Sequence, residues 1–321
     1  MPDRMPLPRI DIHQHLWPEP FLDALSRRSE PPFLRRSRAG EVTLVLAGEP
    51  ESPFHRAPHD PARRLDELHA DGVDQALVCM STPLGVEALP RREAQPVLDA
   101  WHEGVFALGE PFGVWGAVAL DGACPADVDA LLDRGAAGIS LPASALTSPA
   151  AVAAVLPLLH ALEERGRPLL VHPGAAPAGT PAPAWWAAAV GYVAELHGAW
   201  HGFAAWARPE LESLRVVFVA LAGGAPLHVE RLIARGGPAL AAFHPLTYYD
   251  TSSYGRRAIE AVGGVVGVDQ LVHGSDRPVI GAPAEHALGA AGDHALTTTN
   301  PARLLAADAE PEPWPSLEVP A

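Results

Sequence analysis

Pro168-Leu-Leu-Val-His172 is a short aliphatic run that ends in a histidine and is followed at once by Pro173-Gly174. Apolar residues at successive positions suit a strand covered on both faces, as in a parallel sheet flanked by helices. Seven further runs of this kind occupy residues 8–13, 75–80, 112–120, 137–141, 215–220, 246–252 and 270–275. Helix-like stretches such as 61–71 lie between them. Eight runs separated by helical stretches in a chain of 321 residues fit one (β/α)8 TIM-type barrel. No GxGxxG follows the first run, which speaks against an open dinucleotide-binding sheet.

The expected organisation is a single domain over residues 1–321, with its barrel core at about 8–306. Two segments exceed a minimal barrel. Residues 26–59 are rich in Arg and Pro and contain one strand-like run, 41–46; residues 174–183 form a Pro/Ala/Gly loop ahead of Trp185-Trp186. Both follow strands, so both belong on the catalytic face, as lids or specificity loops. For residues 26–38 a disordered insertion is the alternative. The Pro/Glu-rich tail, 308–321, is expected to pack loosely.

Composition excludes several classes. Apolar residues make up 48% of the chain, enough for a full core. No uninterrupted apolar stretch reaches the ~18 residues of a membrane span, and the first nine residues lack the apolar centre of a signal peptide. A cytoplasmic protein without membrane contact is expected. With 38 acidic against 23 basic residues the formal charge is −15, which disfavours nucleic acid as a partner. All the cations are arginines; the absence of lysine excludes a Schiff-base lysine, a P-loop lysine and a carboxylated lysine bridging two metals. Cys79 and Cys124 form no CxxC and read as reduced core thiols.

His13 and His15 stand two apart at the end of the first run. Alternation along a strand puts both on one face. With the Arg9/Asp11/His13/His15 face inward, both imidazoles point to the barrel axis at the catalytic end. Two neutral imidazoles so placed are half a site for a borderline-soft divalent ion such as zinc. His172 ends the fifth run. Asp276 follows the eighth in Val272-His-Gly-Ser-Asp-Arg-Pro278, an odd choice for packing but a sensible metal ligand and proton acceptor. Each histidine alone has a bland explanation as a satisfied polar residue. The coincidence of HxH, VHPG and HGSD on strands one, five and eight is much harder to explain by packing.

Ile10-Asp-Ile-His-Gln-His-Leu-Trp-Pro18, Leu170-Val-His-Pro-Gly174, Gly223-Gly224 with Pro226 and Arg231, His273-Gly-Ser-Asp-Arg-Pro278 and Asn300-Pro-Ala-Arg-Leu-Leu305 together resemble the amidohydrolase superfamily. The branch they resemble most is the amidohydrolase-related one that includes aminocarboxymuconate-semialdehyde decarboxylase. The resemblance implies one divalent metal, usually zinc, held by His13, His15, His172 and Asp276. It also implies a strand-six histidine that activates a metal-bound water. Here that segment reads Val219-Ala-Leu-Ala-Gly-Gly-Ala-Pro226, and neither Ala220 nor Leu221 can accept a proton. Ile10-Asp-Ile-His-Gln-His-Leu-Trp17 and Gly274-Ser-Asp-Arg-Pro-Val279 are also similar to lactonases of the superfamily, some of which need no metal.

The function expected from these residues is a metal-dependent hydrolase of a small amide, ester or lactone, with Asp276 taking the proton from water. Two alternatives stand beside it: a non-oxidative decarboxylase of an aromatic or enoic acid, and a degenerate, non-catalytic barrel. Trp17, Arg277 and His273 are the candidate substrate contacts. Trp17 would line the pocket, and Arg277 would hold a substrate carboxylate or else pair with a surface acid. His273 falls on the opposite strand face from Asp276 by parity. His197 and His201, at i and i+4 on a helix expected over 185–207, have metal-binding spacing but belong outside the barrel, where packing or solvation explains them. A homodimer is expected by analogy with this branch.

Overall fold

The computed structural model describes residues 7–177, 182–238, 243–280 and 288–306. The tail expected over 308–321 and part of the 174–183 loop lie outside the described residues. All eight runs are strands: β1 (Ile10–His15), β5 (Gln75–Cys79), β6 (Phe112–Ala117), β7 (Gly138–Pro142), β8 (Leu169–His172), β9 (Val216–Phe218), β10 (Thr247–Asp250) and β11 (Leu271–Val272). They pair in parallel in that order. The circle closes through backbone bonds between β1 and the chain after β11: Ile12 N–H to His273 O at 3.0 Å, Asp276 N–H to His13 O at 2.9 Å and His15 N–H to Arg277 O at 2.7 Å. This is a nearly closed (β/α)8 barrel. Among the described residues no helix is long and apolar enough to cross a membrane.

β1 departs from simple alternation. Ile10 and Asp11 pair with Gln75 and Ala76, while Gln14 and His15 pair with Val78 and Cys79, so β1 holds one extra residue between them. A bulge of this kind flips the side-chain parity on either side of it. Asp11 therefore shares a face with Ala76 and Gln14 with Val78, both packed in the outer cluster with Val97, Leu98 and Trp101. Ile10 and Ile12 instead join Leu77 and Cys79 in the other core cluster. The expected inward face of Arg9, Asp11, His13 and His15 is corrected to His13 and His15 alone. The Ile12 carbonyl accepts from Trp115 Nε1 at 2.8 Å, and the buried Arg64 guanidinium bonds the His15 carbonyl at 2.8 Å. Buried backbone acceptors are thus satisfied at this irregular strand end.

The insertion is ordered. β2 (Phe33–Arg36), β3 (Val42–Val45) and β4 (Ser52–Pro53) form a small antiparallel sheet, so the disordered alternative for 26–38 does not hold. Phe33-Leu34 supply an apolar pair that the Arg-rich surroundings hide in the sequence. Cys124 is exposed rather than a core thiol, because it precedes Pro125 at the start of the surface helix Pro125–Asp133. Asn300 anchors the helix Asn300–Leu305 by donating its amide to the Val268 and Leu271 carbonyls at 2.8 and 2.7 Å.

After β9 the chain makes a left-handed turn. Ala220, Leu221, Ala222, Gly223 and Gly224 have φ of 47°, 50°, 53°, 60° and 75°. Three of the five carry a Cβ, which this region penalises. Ala220 N–H is held by Asp250 Oδ1 at 3.1 Å, and a Cβ on Gly223 would sit 2.4 Å from the Val193 carbonyl oxygen. Ala220→Gly relieves one strained position. Folding stability is expected to rise by about 0.5–1 kcal/mol, read from urea unfolding. A loss would show that the Ala220 methyl contributes more than its backbone costs.

Three histidines outside the group of converging donors tie stability to pH. His59 Nδ1 accepts the Trp17 N–H at 3.3 Å, His102 Nε2 the Ala117 N–H at 3.1 Å, and His244 Nδ1 the Leu246 N–H at 3.3 Å. Burial, aided by the positive charge of Arg64, Arg134 and Arg208 respectively, pulls these rings down to about 3, 4 and 4. The unfolded chain binds these protons near pH 6.5 and the folded chain does not. Their stability is present above pH 6.5 and is lost as pH falls toward 4. Burial raises Glu87 to about 7, so its single proton opposes the trend between 4.5 and 7. Three outweigh one: stability from urea unfolding is expected to fall by on the order of 1 kcal/mol per pH unit below 6.5. A flat profile from pH 7 to 5 would contradict neutral buried rings.

Candidate metal centre

His13 and His15 end β1, His172 ends β8, and Asp276 lies four residues beyond β11. The positions are far apart in sequence, but all belong to the carboxyl ends of parallel strands, where side chains turn into the barrel mouth. The four groups converge: one donor atom from each lies within 4.8 Å of all the others. The imidazoles form a propeller, each pair of ring centroids 5.0 Å apart and the planes 83–88° to one another. His13 Nε2 and His15 Nε2 are 3.2 Å apart. Asp276 Oδ1 lies 3.2 Å from His15 Nε2 and 3.7 Å from His13 Nε2. Asp276 has φ of +57°, rare outside glycine, and its strained backbone aims the carboxylate into the mouth.

The other nitrogen of each ring meets an oxygen. His13 Nδ1 is 2.6 Å from Asp250 Oδ2, and His15 Nδ1 is 3.1 Å from the Cys79 carbonyl. His172 Nδ1 is 2.7 Å from Thr82 Oγ1, whose hydroxyl donates to the Pro173 carbonyl. Carbonyls and carboxylates accept, so each ring carries its proton on Nδ1 and offers a lone pair at Nε2. Two such lone pairs facing each other at 3.2 Å repel unless a cation lies between them. Three imidazoles and a carboxylate suit a divalent ion of zinc or manganese type. The residues present therefore fit a single divalent metal centre.

The surrounding charge agrees. Burial pushes the Asp276 carboxyl up, but the adjacent histidines, His15 foremost, bring it down to about 2. It is ionised at neutral pH. Burial and the two neighbouring rings hold His172 well below the ordinary histidine range, hence neutral. Burial pulls His13 down, yet the Asp250 carboxylate overcomes this and raises it well above the ordinary range, so an ion at Nε2 would have to displace a proton there.

Sequence reasoning missed Asp250, although it ends a strand that the sequence revealed. It is fully buried, and its Oδ1 also accepts the Ala220 and Ser252 N–H groups at 3.1 and 2.7 Å. The signal was in the HGSD motif: a Cβ on Gly274 would lie 2.3 Å from Asp250 Oδ2 and 2.9 Å from His13 Cβ, so the glycine admits this pair. Thr82 was missed as well, because it lies in a turn with no motif.

A cavity of about 920 Å³ opens over the four groups. Trp17 lines it, its indole donating to Ser81 Oγ at 2.9 Å and stacking on Phe54 and His59 at 5.2 and 5.0 Å. The insertion supplies Leu44, Leu46 and Phe54, and the segment leading into the helix Tyr192–Gly202 supplies Trp185. Tyr192 OH donates to Glu49, which links that helix to the insertion. Two sequence candidates lie elsewhere. Arg277 turns away from the cavity and pairs with Asp71 at 2.8 and 2.9 Å and with Glu67 at 3.6 Å, so the alternative pairing with acids is the one the structure shows. His273 is buried beneath the centre, its Nε2 3.9 Å from Asp11 Oδ2, and does not line the cavity. At the strand-six position the wall is Val219 and Ala220.

No family model matches the sequence. No curated protein matches it either. Solved structures match its fold along nearly the whole chain. IDCase of Metarhizium anisopliae, in apo form, has a TM-score of 0.77 at 17% identity, covering 93% of this chain and 97% of that one. The 5-carboxyvanillate decarboxylase of Novosphingobium aromaticivorans, complexed with manganese and 4-hydroxy-3-methoxy-5-nitrobenzoic acid, has a TM-score of 0.70 at 17% identity, covering 94% and 97%. The 2,6-dihydroxybenzoate decarboxylase from Rhizobium has a TM-score of 0.64 at 15% identity, covering 93% and 98%. These neighbours are decarboxylases, and the expectation of a hydrolase is set aside on that finding. The hydrocarbon wall at Val219–Ala220, where a water-activating histidine would stand, agrees with it. The resemblance read from the motifs is matched in three dimensions: this chain has the fold of the amidohydrolase-superfamily decarboxylases of the aminocarboxymuconate-semialdehyde decarboxylase-like branch.

Proposed function

We propose that this protein is a metal-dependent, non-oxidative decarboxylase of an aromatic acid with a largely apolar ring. One observation carries the reading: four converging donor groups open onto an aromatic and aliphatic cavity whose lining, among the described residues, includes no arginine. Among those residues the strong anchor for a substrate carboxylate is then the metal centre itself. Loss of CO2 needs no attacking water, so the absence of a strand-six histidine removes nothing the reaction requires.

His13, His15, His172 and Asp276 would hold the ion, with Asp250, the Cys79 carbonyl and Thr82 orienting the three rings. The bound ion supplies a Lewis acid that fixes the acid's oxygens. Trp17, stacked on Phe54 and His59, offers a flat wall for the ring and excludes water beside it. Asp276, ionised and at the cavity floor, moves the proton. It takes one from the substrate or solvent at its carboxylate and delivers it to the ring carbon as the C–C bond breaks. The electron pair stays on that carbon and CO2 leaves. Zinc fits the histidine-rich donor set, and manganese is the ion in the Novosphingobium neighbour.

The test is a panel of aromatic acids labelled with 13C at the carboxyl, incubated with protein loaded with zinc or manganese. Metal-dependent release of 13CO2 supports the reading. Conversion of an ester, amide or lactone under the same conditions, with no 13CO2 from any acid, overturns it.

A further inference from the structure

The insertion brings a carboxylate, Glu49, into the cavity wall. It does so by a close approach. A Cβ on Gly48 would lie 1.9 Å from the Ala176 carbonyl oxygen, so glycine lets the insertion press on the chain that follows His172. Tyr192 lines the same cavity, and its hydroxyl donates to Glu49 Oε1. That bond uses the one hydrogen the phenol has. Glu49 is half-buried, and no hydrogen bond among the described residues engages its Oε2. Among the described residues no arginine or histidine forms an ion pair with Glu49, and the cavity lining includes no arginine. Arg35 and Arg56 of the insertion are taken by Glu51 and Glu19 instead. Burial, then the hydrogen bond to Glu49 and the negative fields of Glu49, Glu195 and Asp276, push the Tyr192 phenol above its ordinary range, so the hydroxyl keeps the proton it donates.

The pair therefore presents only acceptors to the cavity: a carboxylate oxygen of Glu49 and the lone pairs of the Tyr192 hydroxyl. Trp17, Phe54 and Trp185 line the same cavity, and aromatic faces attract a cation. A neutral hydroxyl would gain one ordinary hydrogen bond at Glu49. An ammonium gains a charge-assisted one. We infer that Glu49, fixed in place by Tyr192, is a specificity-determining residue that recognises a protonated amine on the substrate, remote from the carboxylate anchored at the metal centre. The substrate class narrows to aromatic acids with an aminoalkyl substituent. This deepens the proposed function and rests on it: that reading assigns the acid end of the substrate, and Glu49 assigns the other.

The probes are 3- and 4-(aminomethyl)benzoate, each set against its hydroxymethyl and methyl counterparts. They are titrated calorimetrically into the full chain loaded with zinc or manganese at pH 7. The wild type is expected to bind at least one aminomethyl isomer about tenfold or more tightly than both of its counterparts. Glu49→Gln keeps an oxygen for Tyr192 but not the charge, and the ratio falls to about one. Tyr192→Phe frees Glu49 to turn and lowers the ratio severalfold. The wild-type ratio needs no variant, so it decides even if Glu49→Gln does not fold. Amine and methyl compounds bound within about twofold of each other, no binding of either amine, or a preference that survives Glu49→Gln would overturn the inference. A hydroxymethyl compound that matches its amine would overturn it too, since a charged partner would then have no advantage. A ratio unchanged in Tyr192→Phe would overturn the part given to Tyr192. The decarboxylase reading fails separately, in the 13CO2 assay: metal-dependent release from acids that lack an amine, with no amine preference in binding, sinks this inference alone.

Discussion

Asp276→Asn is expected to lower the rate of CO2 release by about 10²–10⁴-fold at saturating metal. The amide keeps the size of the carboxylate and an oxygen that can approach the ion. It cannot carry a proton to carbon. Asp276 is the one cavity-lining carboxylate among the four converging groups, and the charge around it holds it ionised, with its carboxyl at about 2. Metal must be saturating because the amide also removes a negative charge from the donor set. Under that condition the loss belongs to kcat, while KM for the acid changes little. A variant that keeps its full rate would show that solvent protonates the ring directly, and Asp276 would be reduced to a ligand.

Asp250→Asn is expected to weaken metal binding by about 10–100-fold, although Asp250 does not touch the ion. Asp250 Oδ1 takes the N–H groups of Ala220 and Ser252, which leaves Oδ2 for His13 Nδ1. An asparagine has one oxygen. If that oxygen keeps the two backbone donors, its NH2 faces His13 Nδ1, and the ring must then accept there. The proton moves to Nε2 and the lone pair that the metal needs is lost. Because the site is fully buried, no water is at hand to relax the mismatch. Chelator competition reads the affinity directly. An unchanged affinity would mean that packing alone orients His13.

The sequence carried the barrel and the four converging donor groups for a simple reason. Parallel strands covered on both faces leave apolar runs, and polar side chains at their carboxyl ends stand beside turn residues that mark the strand end, as in VHPG and HGSD. Other features left weaker traces. The β1 bulge inserts one residue without any glycine or proline to announce it, so parity placed Asp11 on the wrong face while still placing His13 and His15 together. The left-handed turn runs through Ala220, Leu221 and Ala222, residues whose intrinsic preference points elsewhere, and only tertiary contacts with Asp250 and Val193 hold it. Asp250 is 237 residues from His13, and nothing short of the folded barrel brings them to 2.6 Å. Arg277 illustrates the opposite error. Its place beside a ligand suggested a role in the cavity, but the turn that points Asp276 inward sends the next side chain outward to Asp71 and Glu67.

The most direct test is the metal content of protein purified without added metal and dialysed against a mild chelator. It should be compared between the wild type and His172→Ala. Each wild-type chain should retain one divalent ion, and the variant should retain almost none. A wild type that comes through dialysis empty, or a variant that keeps its ion, would contradict the metal centre and the chemistry built on it.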